Sequence, residues 1–186
     1  MLALWIILAI IVILLLFFWG GYNALVKLRN QVKNAWAQID VQLKRRHDLI
    51  PNLIETVRGY KDFERSTLEA VTAARNQAQA GASANPAERA KLEGALGGAL
   101  SRLMAVVEAY PDLKANQSFL ALQTQLAETE NKISSYRQVY NDTVLGLNNK
   151  IQMFPSNIVA SIAGFKAAEL FKVETPEEKE PVQVKF

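Results

Sequence analysis

The stretch LALWIILAIIVILLLFFW, Leu2 to Trp19, is an unbroken apolar run of eighteen residues. As a helix rising 1.5 Å per residue it is about 27 Å long, close to the thickness of a bilayer's hydrocarbon core. A helix packed on a soluble core keeps a polar stripe toward water, and this one has none. Trp5 and Trp19 stand near its two ends, where indole rings favour the membrane interface. A cleaved signal peptide wants a basic start and small residues at its cleavage site. Here no Lys or Arg precedes the run, and Phe17-Phe18-Trp19 occupies the place of the small residues. The run therefore reads as a retained membrane anchor, residues 1–21.

The flanks set an expected orientation. Lys27, Arg29 and Lys33 follow the run, whereas only the amino terminus is charged before it. The positive-inside rule then puts Met1 outside and the remaining chain in the cytoplasm, a single-pass topology. The lack of cysteine fits a reducing compartment. A net charge of +3 over 186 residues is too small to point to nucleic acid. The lipid bilayer is the partner this region implies, with at most weak contact to anionic headgroups.

After Gly20-Gly21 the pattern turns amphipathic. Leu25, Leu28, Val32, Ala35, Ile39, Leu43 and Ile50 advance mostly in steps of three or four, so they line one helix face. The stripe resumes beyond Pro51 with Leu53, Ile54, Val57, Tyr60, Phe63, Leu68 and Val71. AQAGASANPAE breaks it: Gly81 suits a helix end, and Asn85-Pro86-Ala87-Glu88 reads as a capped helix start. A third stripe runs Leu92, Leu96, Leu100, Leu103, Val107, Tyr110 and stops at Pro111-Asp112. Gly94, Gly97 and Gly98 within it read as close packing against a neighbouring helix. The fourth, from Phe119 through Thr129 and Tyr140 to Phe154, has a mean spacing of about 3.5 residues, the coiled-coil period. Pro155 stops it, with a short helical turn to follow near Ile158–Phe165.

No strand pattern of useful length occurs. The expected fold is all-α: an N-terminal transmembrane helix followed by an up-and-down bundle of long antiparallel helices, of the four-helix-bundle type. The bundle should occupy 22–166, with three or four long helices left open. A charged tail broken twice by proline, 167–186, is expected to be disordered.

One stretch, VQLKRRHDLIPNLIETV, concentrates the residues from which chemistry could be built. Pro51 cannot donate a backbone hydrogen bond and crowds the preceding turn. Either Asp48 caps a fresh helix there or one long helix bends; matched bundle lengths favour the corner, the in-phase stripe a bend. His47 and Asp48 point about 100° apart on a helix, so they do not form a base with its orienting carboxylate. There is no cysteine nucleophile, no Gly-x-Ser-x-Gly and no Glu-x-x-His pair. Neither a catalytic set, a metal site nor a cofactor site is expected. Arg45-Arg46 reads as a solvated or partner-facing charge pair, so Arg45, Arg46, Asp48 and Pro51 are the interaction candidates. Trp5, Trp19, Lys27 and Arg29 are the anchor residues. Thr129, Asn141 and Asn148, on or near the fourth seam, should set register and partner choice.

At these residues the chain resembles the LemA family. The matching pieces are Tyr22-Asn23, the block from Ala35 to Tyr60, Ala74-Arg75, PDLKANQSF from Pro111 to Phe119, Leu122-Gln123, Thr129-Glu130-Asn131, Tyr140-Asn141, Phe154-Pro155 and Gly164-Phe165. Tyr136, Phe63 and Leu147 depart from the pattern, and the missing histidine at 63 removes a position for shared histidine chemistry. The resemblance implies a membrane helix, a helical bundle and no established catalysis, in a bacterial cell membrane. Some similar proteins carry a lipoprotein-type cysteine where this chain has Gly20, which would place their bundle outside the cytoplasm. Three functions are thus set against each other. The first is a non-enzymatic, membrane-tethered scaffold that assembles with itself as a homo-oligomer or binds a membrane-protein partner. The second is an accessory subunit of a membrane protease or envelope-stress system, and the third a hidden enzyme or metal protein.

Overall fold

A computed structural model of the chain describes residues 1–60 and 63–172. Among them every regular element is helical: α1 (Leu2–Arg58), α2 (Arg65–Ala80), a 3-10 turn (Gly81–Ser83), α3 (Pro86–Val107), α4 (Pro111–Lys114), α5 (Gln117–Gln152) and α6 (Ser156–Ile162). The all-α class with an apolar N-terminal helix is what the chain adopts.

Helix α1 is 57 residues long, about 85 Å at helical rise. Residues 1–17 are exposed on every face, as expected of a segment whose solvent is lipid rather than protein. Of the corner and the bend weighed at Pro51, the corner does not form, because α1 continues through the proline to Arg58. Proline leaves the carbonyl four residues back, that of His47, without its helical donor. Arg75 on α2 supplies one: its Nε donates to the His47 oxygen at 2.9 Å. The chain turns instead beyond Arg58, around Gly59-Tyr60, so the stripe from Leu53 to Val57 belongs to α1.

The helices build two compact units, and α1 and α5 contribute a segment to each. The larger comprises residues 39–137 with the chain from Glu169 onward. Its core gathers Ile50, Leu53 and Val57 of α1, Leu68 and Val71 of α2, Leu96, Leu103 and Val107 of α3, Leu113 of α4, and Phe119 and Leu126 of α5. Asp40 meets Arg89 and His47 meets Glu93, so α1 and α3 run the same way. Arg46 meets Glu130 and Tyr60 meets Asn116, so α1 and α5 run opposed. This unit is therefore an up-and-down arrangement of four helical segments. Its turns are chemically determined. The side chain of Asn85 accepts from the backbone N–H of Glu88 at 2.8 Å, with Pro86 at the first helical position, as the sequence indicates. A Cβ at Gly81 would overlap the end of the Leu92 side chain, which would have to turn aside. Asn116 caps α5 by accepting from Phe119 N–H and donates from Nδ2 to the Tyr60 hydroxyl oxygen. Gly98 has open space beside it and is not a packing glycine.

The smaller unit comprises residues 1–38 and 138–168. One buried cluster gathers Leu25, Leu147, Val159 and Ala160, with Phe18, Leu28, Val32, Ile151, Phe165 and Ala168 packed around it, and Ala35, Tyr140 and Val144 are buried as well. Trp36 and Tyr140 lie with ring centroids 5.1 Å apart, pairing α1 with α5. Helix α6 ends on Gly164, whose φ of +69° admits the left-handed cap. The N–H groups of Gly164 and Phe165 then reach back to the carbonyls of Ser161 and Ala160, a Schellman closure. That closure swings Phe165 onto α1, against Tyr22 and under the Arg29 guanidinium, 5.1 Å from its ring.

Two expectations need correction at this end. Phe154 was to close the fourth seam, yet α5 stops at Gln152 and Phe154 is 79% exposed. The tail was to be disordered from 167, but 167–172 carry fixed contacts. Asn148 exchanges hydrogen bonds with the Ala168 backbone at 2.9 and 2.8 Å, and Phe171 is buried. The rest of the expected tail, 173–186, lies outside the described residues.

Candidate functional site

The polar side chains that the bundle turns inward meet in the larger unit. On α1 the apolar stripe steps from Leu43 to Ile50, seven residues, and a core position between them must be filled. Arg46 and His47 fill it, only 3% and 5% exposed. The same happens on α3, where Arg89 and Glu93 precede Leu96 on the buried face. Arg46 donates from Nη1 to Glu130 Oε2 at 2.9 Å and from Nη2 to the Glu93 backbone carbonyl at 3.1 Å. A Cβ at Gly97 would lie 3.5 Å from Nη2, an ordinary contact, so the guanidinium passes beside this glycine without requiring it. Arg89 reaches Asp40 Oδ1 at 2.5 Å and donates to the Ala82 carbonyl in the α2–α3 connection.

His47 finds its acid here. Nε2 lies 2.9 Å from Glu93 Oε1, and both side chains are almost wholly enclosed. The pair is close but poorly aligned: neither Nε2 nor either Glu93 oxygen has a well-directed hydrogen bond. Burying such groups is unfavourable unless each offsets the other's desolvation. Among the described residues no third His, Asp or Glu joins them, so the pair is two metal donors at most. A general base must reach its substrate within about 3 Å or through one water. At 5% and 4% exposure, His47 and Glu93 are both closed off from solvent in this structure. What the cluster can do is fix which turn of α1 faces which turn of α3 and α5, because a one-turn slip would strand charges in the core.

The sequence-level candidates separate accordingly. Arg46, expected to face solvent or a partner, is an internal latch. Arg45, Asp48 and Pro51 are exposed on the outer side of α1, next to the exposed Val41. Trp5 and Trp19 are exposed, as are Lys27 and Arg29 beyond the apolar run. Thr129 is fully buried and satisfied within α5, donating to the Gln125 carbonyl at 2.7 Å. Glu93, Arg89 and Asp40 were missed. The legible signal was the gap of seven in the α1 stripe, which no apolar residue fills.

In sequence the chain is similar to several known proteins. Protein LemA of Metamycoplasma hominis is 29% identical over 161 residues, covering 83% of this chain and 73% of that protein. Magnetosome protein MamQ 2 of Paramagnetospirillum magneticum is 29% identical over 185 residues, 87% of this chain and 68% of that protein. Magnetosome protein MamQ of Magnetospirillum gryphiswaldense is 26% identical over 174 residues, 81% and 64% respectively. Residues 35–186 match the model of the LemA family across the bundle and beyond. With its apolar N-terminal helix, helical bundle and buried charge cluster, this membrane-anchored chain belongs to the LemA family.

Proposed function

We propose that this LemA-family protein is a non-enzymatic scaffold that holds a helical bundle at a membrane for self-assembly or partner binding. The observation that carries the reading is where the reactive groups lie. The chain's one histidine and its acid partner are enclosed in the bundle. The outer face of α1 carries Arg45, Asp48, Pro51 and Val41 in the open, a mixed charged and apolar surface suited to a helical partner. An anchor confines copies to one plane, which raises their effective concentration and makes weak self-contacts productive.

Sedimentation of the detergent-solubilised protein over a wide concentration range tests self-assembly, and a monomer throughout would sink it. Crosslinking in cells from cysteines at Arg45 and Asp48, followed by mass spectrometry, separates the two modes. Adducts with the protein itself support self-assembly. A membrane-protease subunit recovered instead would favour the accessory-subunit reading. The orientation proposed places Met1 outside and the bundle in the cytoplasm, on the strength of Lys27, Arg29 and Lys33. A cysteine at exposed Ser83 should be protected from an impermeant maleimide in intact cells and react after lysis. Labelling of intact cells would reverse the topology.

A further inference from the structure

The smaller unit leaves one apolar surface uncovered. After α5 ends, Met153 and Phe154 are 62% and 79% exposed, and on α6 Ile158 and Ile162, one turn apart, are 49% and 69% exposed. The opposite side of α6, Val159 and Ala160, is buried against α1. A patch of this kind in water is a liability unless something covers it.

Its place in the unit says what does. Val159 lies against Gly21, so close that a Cβ there would come within 3.1 Å of Cγ2. Phe18, inside the apolar run, packs on the same cluster, and Tyr22 meets Phe165 edge-on at 5.9 Å. Helix α6 is thus level with residues 18–22 of α1. If Leu2–Trp19 fills the hydrocarbon core, Gly21 stands about 3 Å beyond its edge, inside the headgroup layer. The charge agrees: this unit carries Lys27, Arg29, Lys33, Lys150 and Lys166 against one acid, Asp142. Lys150 and Lys166 flank the apolar patch in sequence.

We propose that the α5–α6 turn and the outer face of α6, through Met153, Phe154, Ile158 and Ile162, dip into the bilayer interface beside the anchor, with Lys150 and Lys166 at anionic headgroups. The protein then grips the membrane at two points rather than one, as interfacial amphipathic helices do. The inference goes beyond the scaffold reading and depends only on the anchor being inserted.

The chain has no cysteine, so single nitroxide labels can be placed freely. The full-length protein would be labelled at Phe154, Ile158 or Ile162 and reconstituted in phosphatidylethanolamine–phosphatidylglycerol vesicles, with Ile11→Cys and Ser83→Cys as lipid and water controls. The expected result is that oxygen, which partitions into lipid, relaxes the three labels more than a water-soluble nickel chelate does, as at Ile11. Ser83 should show the reverse order. A chelate-dominated response at all three, with Ile11 still lipid-like, would overturn the proposal. So would labels shielded from both agents, since a protein surface and not lipid would then cover the patch. A water-like Ile11 would remove the anchor and the inference with it.

Discussion

The two units spend the same helices differently. In the larger one four helical segments close around a core from Ile50 to Leu126, and even polar and charged groups are drawn in: Arg46, His47, Arg89 and Glu93 are all buried. In the smaller one α1 and α5 have the seven residues of α6 and the short stretch after it to help them, and large apolar side chains remain outside. A bundle of four segments can satisfy itself in water, whereas two helices and a turn cannot cover both their faces. The difference teaches that the larger unit closes its core with its own helices, whereas the smaller leaves apolar faces open, where the proposed contact with the bilayer lies.

The largest test of that contrast is Leu103→Ala, which opens a cavity in the larger core. It should destabilise that unit by about 2–5 kcal/mol, read by hydrogen exchange in α2 and α3. The loss should be the same in detergent and in a bilayer; a loss confined to one medium would break the comparison. Arg75→Ala comes next. It strips the His47 carbonyl of the donor that α2 supplies and should cost about 1–3 kcal/mol by chemical denaturation. Adding Pro51→Ala should recover much of this, because alanine at 51 restores the helical N–H. Additive single effects would show that Arg75 does not compensate for the proline.

Effects near 1 kcal/mol follow. Gly164→Ala forces an alanine into the left-handed region and should weaken the α6 cap by about 1 kcal/mol, with faster exchange confined to α6. Asn85→Ala should lower α3 stability by about 1 kcal/mol in the larger unit alone. The smallest effect sharpens the contrast most. Ile162→Ser, at an exposed position, should change stability in detergent by less than about 0.5 kcal/mol. In bilayers it should still speed exchange in α6, because there the residue has lipid to lose.

Much of this fold was open to reading along the chain. The anchor rests on an eighteen-residue run that no soluble core explains, the α3 start on Asn85-Pro86, and the α5 seam on its strict spacing. These are local signals, each contained within a few turns. The misses were all decided at long range. Pro51 keeps its helix because Arg75, from another helix, takes the orphaned carbonyl. Arg46 turns inward to Glu130 and His47 lies against Glu93, partners distant in sequence. Phe154 leaves the seam because α6 folds back on Gly21.

What the sequence by itself determined is the class of element and the medium each one needs: one helix for lipid and several amphipathic ones for each other. Periodicity and hydropathy are properties of neighbouring residues, and they survive without knowledge of the fold. Only the tertiary structure decided which charges are internal, where the chain turns after α1 and which apolar faces stay uncovered. Those outcomes depend on whether a distant partner arrives to satisfy a carbonyl, a charge or an apolar face, and no local pattern records that arrival.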